Sequence, residues 1–79
     1  MEFNDYWSEE RQKNSVDILF NGKCMEPCRV KHFREIDRYG SVSVVQGIEK
    51  GIWTVETDLV DYETFDSVED LVKAGWVVD

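Results

Sequence analysis

Residues 41–59, SVSVVQGIEKGIWTVETDL, decide how this chain folds. Val42 and Val44 alternate with Ser41 and Ser43, and Trp53, Val55 and Leu59 alternate with Thr54, Glu56 and Asp58. A period of two is the mark of strands with one face in a core and the other in water. With Ile48-Glu49-Lys50-Gly51 as a four-residue connection, the two halves pair as a hairpin. Val44 then lies opposite Val55, Val42 opposite Thr57, and Gln46 opposite Trp53. This register keeps the apolar residues on one face and leaves Ser43 facing Glu56 in solvent. A shift of one residue would set Val44 against Glu56, which disfavours it.

Working outward from the hairpin, the upstream residues divide into three pieces. Residues 1–14, MEFNDYWSEERQKN, form an acidic and aromatic arm, with Phe3, Tyr6 and Trp7 at the spacing of one helical face. The arm is expected either to tuck its aromatics against the sheet or to dock on a partner. Ser15–Phe20 reads as a short strand with Val16, Ile18 and Phe20 on one side. Asn21-Gly22 after it is a strong hairpin signal, because both residues tolerate positive φ. The returning strand begins at Lys23, and Pro27 places it at an edge or a bulge.

Residues 28–38, CRVKHFREIDR, admit two readings. As a strand, Cys28, Val30, His32 and Ile36 share a face opposite Arg29, Lys31 and Glu35. As a helix, Pro27 takes the first position, Gly40 lies just past the end, and Val30, Phe33 and Ile36 face inward. The strand is preferred because Tyr39-Gly40 then serves as a turn into Ser41.

Downstream, Val60, Tyr62 and Thr64 suggest a further strand with acids between them. Ser67 is a helix N-cap with Asp70 three residues on. Glu69 and Asp70 in the first turn and Lys73 in the last suit the helix dipole. Val68, Leu71 and Val72 form an apolar stripe over a helix spanning 67–74, and Gly75 ends it. Trp76-Val77-Val78 reads as a last short strand.

The whole is predicted to be one α+β domain, residues 1–79, with 1–14 as a flexible arm. It has a small antiparallel sheet of four or five strands built as successive hairpins, and one C-terminal helix packed on it. Val42, Val44, Trp53, Val55 and Leu59 are expected to meet Val68, Leu71 and Val72 in the core. Seventy-nine residues approach the lower limit for folding on a hydrophobic core alone. The ten aromatics offset this, because each can bury about 150–250 Å².

Net charge is −8 and unevenly placed. Residues 1–48 carry eight acids and seven bases, whereas residues 49–79 carry nine acids and only Lys50 and Lys73. That asymmetry bears on partners rather than on fold. It disfavours direct nucleic-acid binding, which needs bases on the contact face, and suits a basic partner. No apolar run reaches the length of a membrane span, and no signal region stands at the N-terminus, so a cytoplasmic location is expected. Two cysteines are too few for a disulfide scaffold and agree with a reducing compartment.

Two constellations bear on chemistry. Cys24, Cys28 and His32 form C-x3-C-x3-H, the one cluster of metal-ligand types, which Glu26 or Asp37 would have to complete. In a straight strand, residues four apart lie roughly 13 Å from each other, so a helix or a bulge at Pro27 would be needed. No metal or other cofactor is expected, and this cluster stands as the alternative: a metal- or thiol-dependent regulatory domain. Catalysis is not expected, because there is one histidine, no phosphate loop and no nucleophile motif.

The second constellation is the acidic row Glu56, Asp58, Asp61, Glu63, Asp66, Glu69 and Asp70. Strand residues two apart are separated by about 6.5–7 Å, close to the spacing of successive phosphates on a nucleic-acid strand. The row is therefore the expected partner-binding surface of a small inhibitor or adaptor that engages a basic, nucleic-acid-binding protein. Small acidic phage inhibitors of restriction or CRISPR nucleases share this size and charge, an analogy of bulk properties only. A third possibility is nucleic-acid contact through the basic stretch 28–38, with Arg29, Lys31 and Arg34.

Overall fold

The first helix, α1, occupies Glu9–Phe20, where a strand and hairpin are predicted from Ser15 onward. The computed structural model describes residues 3–33, 38–58 and 61–79. Ser8 starts α1 by accepting a hydrogen bond from the Arg11 amide at 3.1 Å, and Glu9 and Glu10 sit in the positive first turn. Its most buried positions are Gln12, Ser15 and Leu19, spaced i, i+3, i+7. Two of the three are polar, so an apolar stripe does not announce the helix. Asn21-Gly22 marks a positive φ as expected (+62° at Gly22), but at a helix end. Lys23 N–H reaches Ile18 O at 2.9 Å and Gly22 N–H reaches Leu19 O, the paired bonds of a Schellman stop.

The next strand, β1, is Cys28–His32, beginning after Pro27 rather than at Lys23. Cys28, Val30 and His32 point inward and Arg29 outward, so the strand reading holds over these residues. Arg34, Glu35, Ile36 and Asp37 lie outside the described residues. Tyr39 and Gly40, expected as a turn, instead open β2 (Tyr39–Val42). Gly40 stands opposite Val30 on one side and Thr57 on the other. A Cβ there would fall 2.7 Å from Val55 Cγ1 and 3.1 Å from Glu56 O, so this mid-sheet position excludes a side chain.

The predicted hairpin is present, with two corrections. Residues Val44–Lys50 form a second helix, α2, and the return strand β3 is Trp53–Thr57. The pairing is Val42 with Val55, Ser41 with Glu56 and Gly40 with Thr57. Relative to the predicted register this is a slip of two residues, which preserves every residue's face. The cause is local. Ser43 Oγ accepts from Gln46 N–H, Gly51 takes a left-handed conformation (φ 70°), and the segment between them coils into a helix. Val44 is still buried, but from the helix rather than from a strand.

Two strands and a helix complete the chain: β4 (Tyr62–Phe65), α3 (Val68–Lys73) and β5 (Trp76–Val78). Ser67 caps α3 through its Oγ at 3.1 Å from Asp70 N, Val68, Leu71 and Val72 are buried, and Gly75 follows at φ +111°. Leu59 and Val60 lie outside the described residues.

The sheet has five antiparallel strands in the order β4-β3-β2-β1-β5. It is α+β, with three helices among the described residues rather than one at the C-terminus. Leu19 of α1 and Val68, Leu71 and Val72 of α3 close over Val30, Val42, Trp53, Val55 and Trp76. The two sheet edges are treated differently. Along β5, α1 supplies the missing partners: Ser15 Oγ accepts from Val78 N–H at 3.0 Å, and Arg11 donates to Val78 O at 3.5 Å. Along β4, Tyr62 and Thr64 are exposed and the acids Asp61 and Asp66 flank the strand. Charged flanks of this kind guard an open edge against strand addition.

The arm before α1 is tied down by side chains. Trp7 Nε1 donates to Gly75 O at 2.8 Å, and Asn4 Nδ2 donates to Val72 O at 2.9 Å. Tyr6 stacks on Phe33 with centroids 3.4 Å apart. Gln12, fully buried, donates to Asn4 O and Trp7 O and accepts from Asn4 N–H, so the arm satisfies the polar group inside α1. Phe3, Tyr6 and Trp7 do not share a helical face, because α1 starts after them.

Candidate protein-docking surface

The sheet scatters the acidic row. Register pairs Val55 with Glu63 and Glu56 with Tyr62, so Glu56 and Glu63 lie on opposite faces. Glu63 is half-buried and bound by Arg38 at 2.7 Å. Asp58 is held by both guanidinium nitrogens of Arg29, at 3.0 and 3.2 Å, and Arg29 also donates to Ser41 Oγ at 2.8 Å. Hydrogen bonding from Arg29 lowers the Asp58 carboxyl below its ordinary value, and Asp58 raises Arg29 in turn. Asp61 is exposed, its backbone bonded to Thr57. Asp66, Glu69 and Asp70 gather around the start of α3, and no ion pair holds them among the described residues.

Two concave surfaces take up parts of this set. On the outer sheet face, Glu56 and Asp58 border a polar hollow with Ser41, Thr54, Gln46 and Tyr62. On the helical side, Asp66 and Glu69 border an apolar groove with Phe20, Ile48, Trp53 and Val68. Past Phe20 and Glu69 it meets a second hollow lined by Phe3, Lys13, Val16 and Asp17. Phe20 is 66% exposed and Ile48 58% exposed, a large apolar area to leave in water at the junction of three helices.

The sequence reading missed Phe20 and Ile48. The strand reading sets Phe20 on one side with Val16 and Ile18, and the hairpin reading puts Ile48 in the four-residue connection. In the helix, Phe20 falls beside the buried Leu19 and one turn beyond Val16, so both line the groove. The signal was available in Ser43-x-x-Gln46, a capping-box pattern that opens a helix carrying Ile48 on its far side.

The C-x3-C-x3-H residues are brought near one another but not as ligands. Cys24 and Cys28 are joined in a disulfide, with Cα atoms 5.6 Å apart, so neither is the free thiol that the metal- or thiol-dependent alternative requires. The chain turns at Pro27, and that turn brings together residues that a straight strand would hold apart. His32 is buried and its Nε2–H donates to Ala74 O at 2.8 Å, with its ring against Phe33 and Trp76. Among the described residues, no group of three histidine, cysteine or acidic side chains could hold a metal ion.

Glu26, inside the disulfide loop, has a structural task. Its Oε2 accepts from Val44 N–H at 3.0 Å and Val45 N–H at 3.3 Å, capping α2 from outside the helix. Hydrogen bonding from Ser43 and then from those amides holds its carboxyl below the ordinary value. Among the described residues no helix is long and apolar enough to cross a membrane. No family model, curated protein or solved structure matches this chain.

Proposed function

We propose that this protein is a small acidic interaction module, an inhibitor or adaptor that works by occupying the surface of a basic, nucleic-acid-binding protein. It acts by binding and performs no catalysis. The observation that carries the reading is the set of carboxylates at the start of α3. Asp66, Glu69 and Asp70 have no ion-pair partner among the described residues, in a chain of net charge −8. Charge of this kind accelerates encounter with a basic surface and makes binding depend steeply on salt.

The geometry favours discrete acidic patches over one continuous row. Glu56 lies on the outer sheet face, Asp61 just before β4, and Asp66, Glu69 and Asp70 at the start of α3. Asp58 and Glu63 are engaged within the fold by Arg29 and Arg38.

The test is capture from the native host at low salt, repeated with two charge-reversed variants. One carries Glu56→Lys, Asp58→Lys and Asp61→Lys; the other carries Asp66→Lys, Glu69→Lys and Asp70→Lys. A basic protein retained by the wild type, released by added salt and lost in one variant supports the reading. Retention unchanged in both variants contradicts it.

A further inference from the structure

We infer that the groove between α1, α2 and α3 is a docking site for an amphipathic helix of a basic protein, with Phe20 and Ile48 as its apolar contacts. The inference rests on the binding-module reading and names the surface and the chemistry of the partner. Four observations converge on it.

First, two of the seven large exposed apolar side chains among the described residues fall together. Phe20 and Ile48 face the same groove, floored by the buried Trp53 and Val68. Gly47 contributes no side chain there, which lets α2 lie directly on the Trp53 ring. Second, the groove is elongated. It shares Phe20 and Glu69 with the adjoining hollow, where Phe3 and Val16 lie beside Lys13, Asp17 and Asn21.

Third, the walls come mainly from helices and their caps. Of the groove's lining only Trp53 belongs to a strand, and β3 is paired on both sides, with β2 and with β4. An extended peptide could not add to β3 here, whereas a helix satisfies its own amides and needs no strand partner. Fourth, the rim selects charge. Asp66 and Glu69 border the main groove, where no base stands among the described residues, whereas Lys13 lines the adjoining hollow. Asp17, in the adjoining hollow, is engaged by Lys23 at 2.8 Å.

The same charge discriminates among occupants. A second copy of this chain would bring net charge −8 against −8, and an anionic lipid surface or a nucleic acid would meet the same repulsion. A helix with apolar side chains one turn apart and Lys or Arg beside them has the opposite pattern. Its apolar side chains cover Phe20 and Ile48, and its bases meet Asp66 and Glu69.

The probe is a labelled synthetic amphipathic helix of Leu and Lys, compared with its Leu and Glu counterpart, by fluorescence anisotropy on the intact protein. The wild type should bind the basic peptide and not the acidic one. Phe20→Ser and Ile48→Ser should each weaken binding at least about tenfold, with an unchanged circular dichroism spectrum because both side chains are exposed. Glu69→Gln should weaken it and flatten its salt dependence, while Glu56→Gln on the sheet face should leave it unchanged.

Binding lost in Glu56→Gln but kept in Phe20→Ser would overturn the groove while leaving the binding-module reading intact. So would no peptide binding alongside capture of a basic host protein. Equal binding of both peptides, or a concentration-dependent dimer abolished by Phe20→Ser, would overturn the proposed occupant. Failure of the peptide and of host capture together would remove the functional reading itself.

Discussion

Replacing Gly47 by alanine should destabilise this protein, although the same change in an ordinary helix does the opposite. Gly47 lies within α2, where exchanging glycine for alanine normally stabilises by about 0.5–1 kcal/mol through backbone entropy. Here a Cβ would fall 2.7 Å from Trp53 Cζ3 and closer still to Cδ2 and Cε3. The ring cannot swing aside, because Trp53 is only 6% exposed and belongs to the core. Either α2 lifts from the sheet or Trp53 leaves its position, and overpacking of this kind costs about 1–3 kcal/mol. The two effects together leave a net loss of about 1 kcal/mol, within limits of about 0–2.5 kcal/mol. For a domain of this size a loss of about 1 kcal/mol lowers Tm by about 4–8 °C. Urea unfolding followed by far-UV circular dichroism reads the change as a lower midpoint at unchanged slope. A midpoint raised by the amount helix propensity alone would give refutes the packing of α2 on Trp53.

Three further outcomes are expected. Ser15→Ala removes the acceptor for Val78 N–H on the covered edge of β5 and should cost about 1–3 kcal/mol in urea unfolding, for an orphaned buried amide; a neutral result would mean that α1 does not close that edge. Because the Glu26 carboxyl is lowered in the folded state, its contribution is present above its unfolded value and is lost as pH falls through the folded value. Wild type should therefore lose more stability than Glu26→Gln between pH 6 and acidic conditions, a difference on the order of 1 kcal/mol or less for an exposed group, and parallel pH profiles in thermal melts would contradict the cap on α2. Reducing the Cys24–Cys28 bond should lower stability by about 2 kcal/mol, the loop-closure estimate for so short a ring; two titratable thiols in the unreduced native protein would show that the bond is absent.

The fold was legible where the backbone's periodicity and the chemistry of its caps agree. Ser67, Val68, Leu71, Val72 and Gly75 each point to the same helix, and each takes that role. The faces of Val42, Trp53 and Val55 were legible for a similar reason: a slip of two residues leaves a strand's inward side unchanged. The first helix was hidden because Gln12 and Ser15 are buried for what they hydrogen-bond, not for apolarity. Apolar periodicity cannot see such positions, and it read the stretch after Ser15 as a strand.

The candidate surface was half legible. Asp66 and Glu69 were picked out by charge, and they border the groove. Phe20 and Ile48 were not, because their exposure depends on two helices the periodicity did not reveal. The acidic row itself failed as a geometric idea at Glu63, whose side chain turns to the opposite face from Glu56 and meets Arg38.

The central claim is that the groove at Phe20 and Ile48 is where this protein binds. Amide chemical-shift mapping of the labelled protein during addition of the basic Leu and Lys helix tests it most directly. The account predicts shifts concentrated at Phe20, Gly47, Ile48, Trp53 and Glu69. Shifts concentrated instead at Ser41, Thr54, Glu56 and Tyr62 on the outer sheet face would contradict it.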